Sequence, residues 1–206
     1  MDKDEKLYNE KYGDIPKDYV SRINLLLSQV KTRKHKELIL PYIQRALNIE
    51  YKHIGFTIYL EPKSTPRPRS NSKSNVFYVK GAAVNKKRFN KFLDSIEYER
   101  ITTGAKFMVD AYLPCPSSMN KVERILAEMG LIRPLTTPDF DNIVKTYSDM
   151  IQNKLLLDDS LIFDGHIKKY LSIKPRIEIN IEYAEGFDSE YNEKLIIRRL
   201  EKENSR

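Results

Sequence analysis

The amino-acid sequence predicts an α/β (α+β) domain, a mixed β-sheet with flanking helices, over residues 51–185. Three observations point there. Apolar segments with period-two alternation, cleanest at Ile177, Ile179 and Ile181, read as half-buried strands. Segments with apolar residues at i, i+3, i+4 and i+7 read as amphipathic helices. The two kinds interleave along the chain, the pattern of a sheet covered by helices.

The elements follow in order. Residues 1–16 are polar and expected to fray. From Lys17, the positions Val20, Ile23, Leu26, Leu27 and Val30 define a helix. A basic break, KTRKHKE, precedes a second helix carrying Leu38, Ile39, Leu40, Tyr42, Ile43 and Leu47, with Pro41 an irregularity near its start. Residues 1–50 thus form an N-terminal helical extension, a hairpin, ahead of the main domain at 51–185. Within that domain GFTIYLEP (55–62) and SKSNVFYVKG (72–81) are expected strands, separated by a Pro-punctuated basic loop that cannot be helical. Residues 86–99 are an expected helix, 105–114 an apolar strand, and 117–130 a helix with a Ser cap and terminal Gly130. A helix from about Asp141 to Asn153 is followed by strands at 161–172 and 175–184. Residues 186–206 are a charged helix or tail.

The 206 residues carry 36 Lys+Arg against 29 Asp+Glu, a formal charge of +7. Such an excess favours a polyanionic partner, and nucleic acid is the commonest. A single cysteine, Cys115, excludes an internal disulfide or a Cys-rich zinc site. The charged N-terminus does not resemble a signal peptide, and no apolar run approaches membrane-spanning length. A cytoplasmic protein of a reducing compartment, with no membrane partner, is expected.

The chemistry concentrates in TTPDFDNIVKTYSDM, residues 136–150. Ile143, Val144, Tyr147, Met150 and Ile151 fall on one helical stripe, and Asp141, Lys145 and Asp149 on the opposite side. Pro138 keeps Thr137 out of the helix. Asp139 is therefore expected in extended or turn backbone, where it and Asp141 can converge on one point. The ordinary alternative makes Asp141 an N-cap, Asp139 a loop carboxylate, and Lys145 with Asp149 an exposed i,i+4 pair. A second acidic pair, Asp158 and Asp159, is expected to begin the next strand close by. Three or four converging carboxylates repel unless a cation compensates. Oxygen ligands suit Mg²⁺ or Mn²⁺, and His35, His53 and His166 have no zinc-ligand spacing. The EF-hand pattern fails, because Ile143 stands at its fifth position and no Gly follows.

The run Pro138, Asp139, Asp141, Asn142, Lys145, Asp149, joined to Asp158, Asp159 and Ser160 before an apolar strand, resembles the RusA family of Holliday-junction resolvases. Arg67-Pro68-Arg69 after a first strand and the closing strand from Lys174-Pro175 to Ile181 resemble it too, so the likeness spans about 53–184. The resemblance implies a homodimeric endonuclease that cuts four-way DNA junctions at paired positions with Mg²⁺ or Mn²⁺, and a bacterial, phage or mobile-element origin. It implies that Asp139, Asp141 and Asp159 are required as metal ligands, with Lys145 catalytic and Asp158 assisting. Which of Asp158 and Asp159 is the main ligand stays open, with Asp159 favoured. Segment 1–50 has no counterpart in the compact family members. Lys63, Arg67, Arg69, Lys73, Lys86, Lys87 and Arg88 are the candidate DNA-backbone contacts, and Phe77 and Tyr78 are candidates to stack at a junction. Two other readings are a nuclease for flaps or forks, and a non-catalytic DNA-binding protein whose acids are structural.

Overall fold

The structure is a computed structural model that describes residues 17–29, 32–64, 69–70, 76–77, 82–152, 154–187 and 189–205. Those residues divide into two compact units, one within 52–183 and one formed from residues of 1–51 together with 184–206.

Among the described residues the second unit holds three helices: α1 (Lys17–Leu27), α2 (Arg33–Leu47) and, at the C-terminal end, α6 (Glu190–Asn204). Helix α2 begins five residues before the predicted apolar run, so most of the expected basic break is helical, and Pro41 lies inside it. The C-terminal segment is helical, capped by Ser189, whose Oγ accepts from the Asn192 N–H at 3.3 Å.

The unit at 52–183 is built on a four-stranded sheet. Its strands are β1 (Tyr51–Ile58), β4 (Ala105–Pro114), β5 (Ile162–Ser172) and β6 (Arg176–Ala184), in the order β1-β6-β4-β5. Strand β4 runs parallel to β5 and antiparallel to β6, so the sheet is mixed as predicted. Strand β1 starts and ends four residues before the predicted segment. A tight turn stops it, with Leu60 N–H donating to Ile58 O at 3.0 Å. Of the expected 72–81 strand, only β3 (Val76–Phe77) is described, paired antiparallel with β2 (Arg69–Ser70). The rest lies outside the described residues.

Alternation along β4 decides the core. Ala105, Phe107, Val109 and Ala111 are fully buried, in register with Tyr183, Ile181, Ile179 and Ile177 of β6 respectively. Helix α3 (Ala82–Leu93) contributes Phe89 and Leu93 to this core. Helix α5 (Phe140–Ile151) contributes Ile143, Tyr147, Met150 and Ile151. Phe89 and Tyr147 meet with ring centroids 5.7 Å apart, which locks α3 against α5. Helix α3 starts four residues before the predicted segment, at Ala82, and a turn at Asp94–Ser95 ends it. Helix α4 (Lys121–Glu128) is capped by Asn120, not a serine, in a reciprocal capping box with Glu123. Gly130 follows it at φ 72°, the left-handed conformation that glycine adopts without steric cost.

The opposite sheet face is polar. Lys106, Asp110 and Tyr112 of β4 stand beside Glu182, Glu178 and Arg176 of β6 and Asp164, Lys168 and Tyr170 of β5. Lys106 pairs with Glu182 at 3.0 Å, and the Arg176 guanidinium lies 3.5 Å from the Tyr112 ring centroid.

Candidate active site

Helix α5 starts one residue earlier than the sequence predicts. Asp139 is its N-cap, in extended backbone at φ −69°, ψ 150°, and Asp141 already lies within the first helical turn. The expected extended i,i+2 alignment of the two aspartates is therefore replaced by a helix start, with Asp139 at the cap and Asp141 two residues on. Pro138 keeps Thr137 out of the helical region, so the helix cannot extend further upstream. The peptide bond between Thr137 and Pro138 is cis. Asp139 O accepts the first helical bond, from Ile143 N–H at 3.2 Å.

The Asp139 side chain makes no capping bond to the helix. Its Oδ2 instead accepts from Asn142 Nδ2 at 3.3 Å. Asp139, Asp141, Lys145 and Asp149 are all exposed, on the side of α5 away from the buried stripe. Val144 is half-buried, whereas Thr146 and Ser148, absent from the predicted stripe, are buried. Both tolerate burial by bonding back to the helix, Thr146 Oγ1 to Asn142 O at 2.6 Å and Ser148 Oγ to Lys145 O at 3.1 Å. Asp139 and Asp141 sit at the positive end of the α5 dipole, which favours anionic side chains there.

A short, fixed segment leads from α5 to the second acidic pair. Leu155 and Leu156 are fully buried. Ile101 N–H donates to Leu155 O at 2.8 Å, and Leu157 N–H to Ile101 O at 2.9 Å. Asp158 and Asp159 do not begin the strand, because a 3₁₀ turn, Asp159–Leu161, intervenes before β5. Asp158 is the cap of that turn, its Oδ1 accepting from Ser160 N–H at 2.9 Å. Asp159 is exposed in the turn itself. Among the described residues, no three His, Cys, Asp or Glu side chains are gathered into a preformed cation cage. His53 bonds Asn180 at 3.2 Å and His166 pairs with Asp164 at 2.9 Å.

One residue the sequence reading passed over joins this region. Lys169 of β5 donates from Nζ to Thr136 O at 3.0 Å and to Pro138 O at 2.9 Å. A signal for it existed. Lys169 stands in phase with Ile167 and Leu171 and in register with buried Ala111, so a lysine occupies an inward position of the strand. The Tyr147 hydroxyl is buried and, among the described residues, has no hydrogen-bond partner, although the Lys63 backbone lies near enough to act on it. Burial pushes its pKa far up, with Lys63 opposing weakly.

Of the candidate DNA contacts, Lys86, Lys87 and Arg88 are exposed on α3. The first two line an open groove with Asn90, Lys91 and Asp94. Lys63 is exposed and pairs with Glu61 at 3.4 Å. Arg67, Lys73 and Tyr78 lie outside the described residues, as do the side chains of Arg69 and Phe77. No helix among the described residues is long and apolar enough to cross a membrane.

The chain is 35% identical over 135 residues to the uncharacterized protein YqaN of Bacillus subtilis (strain 168), covering 62% of this chain and 94% of the relative. Residues 60–182, more than half of the chain, match the family described as Endodeoxyribonuclease RusA. That span contains both acidic pairs, Lys145, strands β4 and β5 and most of β6, and the chain belongs to the RusA endodeoxyribonuclease family.

Proposed function

We propose that this chain is a divalent-metal-dependent endonuclease that resolves four-way DNA junctions by paired phosphodiester hydrolysis, acting as a homodimer. The observation that carries the reading is Asp139. It occupies the N-cap of α5 without a side-chain bond to the helix N–H groups, and accepts only a 3.3 Å surface bond from Asn142 among the described residues, so capping does not account for this carboxylate. A structural aspartate at that position would accept from the second or third N–H of the helix.

Asp139, Asp141 and Asp159 are the proposed ligands, with Asp158 assisting. Exposed carboxylate oxygens are the donor set that Mg²⁺ and Mn²⁺ prefer. A bound ion would supply Lewis acidity and charge neutralisation at the scissile phosphate. Lys145, one turn beyond Asp141 on the same exposed side, would hold that phosphate and stabilise charge developing on it. The cationic surface of α3 at Lys86, Lys87 and Arg88, with Lys63, Arg67, Arg69 and Lys73, would offset the acids by neutralising DNA phosphates. A junction presents two equivalent strands, which a two-fold dimer reads naturally. Residues 51–185 would be the nuclease domain, with 1–50 and 186–206 accessory to it.

The test is a synthetic four-way junction beside matched linear, flap and fork substrates, with Mg²⁺, Mn²⁺ or EDTA, for wild type and Asp141→Asn. Paired, metal-dependent nicks restricted to the junction, lost in the variant while binding survives, are expected. Cleavage confined to flaps or forks would replace the substrate. Binding without cleavage under every metal would reduce the acids to structural groups.

A further inference from the structure

We infer that Lys169 is a positioning residue for the acidic site: it anchors the loop that presents Asp139, and the site's hold on a divalent cation depends on that anchor. The inference rests on the metal-dependent reading above and deepens it.

The loop from Arg133 to Pro138 enters α5 without secondary structure of its own. Among the described residues, 133–138 form no backbone–backbone hydrogen bond. At its start the loop meets the sheet through the Arg133 guanidinium, 5.6 Å from the Tyr170 ring centroid, and at its end, next to Asp139, the Lys169 ammonium ties it down. The ammonium reaches from the C-terminal half of β5 to the carbonyls of Thr136 and Pro138, at 3.0 and 2.9 Å. Pro138 O belongs to the peptide unit that runs into Asp139, so the anchor fixes the chain direction at the residue before the carboxylate. Its foundation is the pairing of β5 with β4. Lys169 stands in register with fully buried Ala111, between Ile167 and Leu171 on the same strand face.

A lysine there is otherwise unfavourable. Lys169 is half-buried on the edge strand, and withdrawing part of a cation from water costs free energy unless its donors are used, so methionine or leucine would suit the phase better. Two of its three N–H donors are directed at this loop, so the loop is the reason for the charge. Ligand carboxylates hold a metal well only when their supporting contacts orient them, and removing such a support typically costs tenfold or more in metal affinity. Arginine would carry the charge but spread its donors in a planar fork, so it would restore the anchor only in part.

The experiment compares wild type, Lys169→Met and Lys169→Arg. Mn²⁺ affinity is read by calorimetry without DNA, the Mg²⁺ dependence of junction nicking by titration, and junction binding in EDTA by gel shift. Thermal melting checks the fold. Lys169→Met is expected to weaken Mn²⁺ binding and raise the half-maximal Mg²⁺ about tenfold, with junction binding unchanged and Lys169→Arg intermediate. Unchanged metal dependence in a folded Lys169→Met protein overturns the inference. Equal losses of metal and junction binding also overturn it, because they mark a general structural role. If Lys169→Met fails to fold, wild-type metal dependence in Lys169→Arg overturns it, and a partial loss there supports it. A wild type that neither binds Mn²⁺ nor nicks a junction sinks the metal-dependent reading itself, a result distinct from any difference among the variants.

Discussion

Asp139 and Asp158 are both helix-entry aspartates, and the structure assigns them opposite local tasks. Asp158 accepts the Ser160 N–H at 2.9 Å. Asp158→Ala leaves that donor unpaired, and loss of such a cap costs about 1 kcal/mol, or about 2–4 °C in melting temperature for a protein of this size. Asp139 makes no side-chain cap bond, and among the described residues its one hydrogen bond is at 3.3 Å from Asn142 at the surface. Asp139→Ala forfeits some helix-dipole stabilisation, about 0.3–1 kcal/mol. It also relieves repulsion with Asp141 two residues on. The two terms oppose, so the net change stays within about 0.5 kcal/mol. Activity should rank the other way. A proposed metal ligand accounts for several kcal/mol of barrier, and about 4 kcal/mol is about 10³-fold in rate. Asp158→Ala, acting through orientation, should cost about tenfold. The assay pairs thermal melts with single-turnover junction cleavage at saturating Mg²⁺. An Asp139→Ala protein that melts lower than Asp158→Ala, or that cleaves within tenfold of wild type, would refute the reasoning.

Lys86→Ala and Lys87→Ala should each flatten the log–log salt dependence of DNA binding by about one, measured by fluorescence anisotropy, and an unchanged slope removes that lysine from the DNA footprint. Phe89→Ala opens a hole between α3 and α5 and should cost about 3–5 kcal/mol, read from urea denaturation, and a loss under 1 kcal/mol would argue against the Phe89–Tyr147 contact. Asp110 has a carboxyl pKa raised from 3.8, first by desolvation and then by Glu178, with Lys168 opposing. Its folded form binds the proton more tightly than the unfolded chain, so stability falls as pH rises from below the ordinary carboxylate value to above the raised one. Asp110→Asn should therefore raise the melting temperature at about pH 7 more than at about pH 3.5. An equal shift at both would exclude the carboxylate charge as the cause.

The central strands were legible because one face of the sheet is dry. A period-two pattern such as Ile177, Ile179, Ile181 has one burial solution, and Ala105–Pro114 forms the predicted strand to the residue. Boundaries were misread where the deciding contacts are local and polar. Asn120 outcompeted Ser117 and Ser118 as a cap because only Asn120 has a glutamate three residues on to close the capping box. Helix α2 swallowed the basic run because charge does not oppose helix formation in lysine and arginine, which are good helix formers. Strand β1 was displaced because it sits at the sheet edge, where weaker alternation leaves its limits to the turn after Ile58.

The site was legible in composition and only partly in geometry. The burial of Ile143, Tyr147, Met150 and Ile151 puts Asp141, Lys145 and Asp149 outside by helical phase alone. Phase could not tell which aspartate caps which turn, since either member of each pair suits an N-cap by residue type. That question is settled by hydrogen bonds between neighbours, and these divide Asp158 from Asp159 where spacing left them equal. Lys169 belongs to a third class, a residue whose importance shows only as a mismatch. Its type is ordinary for a basic chain and its position is ordinary for a strand, but the combination is not, because Ile167 and Leu171 mark its side as the covered one. A charge placed against the hydrophobic phase has to be satisfied from nearby, and the carbonyls that satisfy this one belong to the loop before Asp139. Local preference yields to the fold where a function needs support, so an out-of-phase charge on a predicted strand is a place to look for what the strand holds.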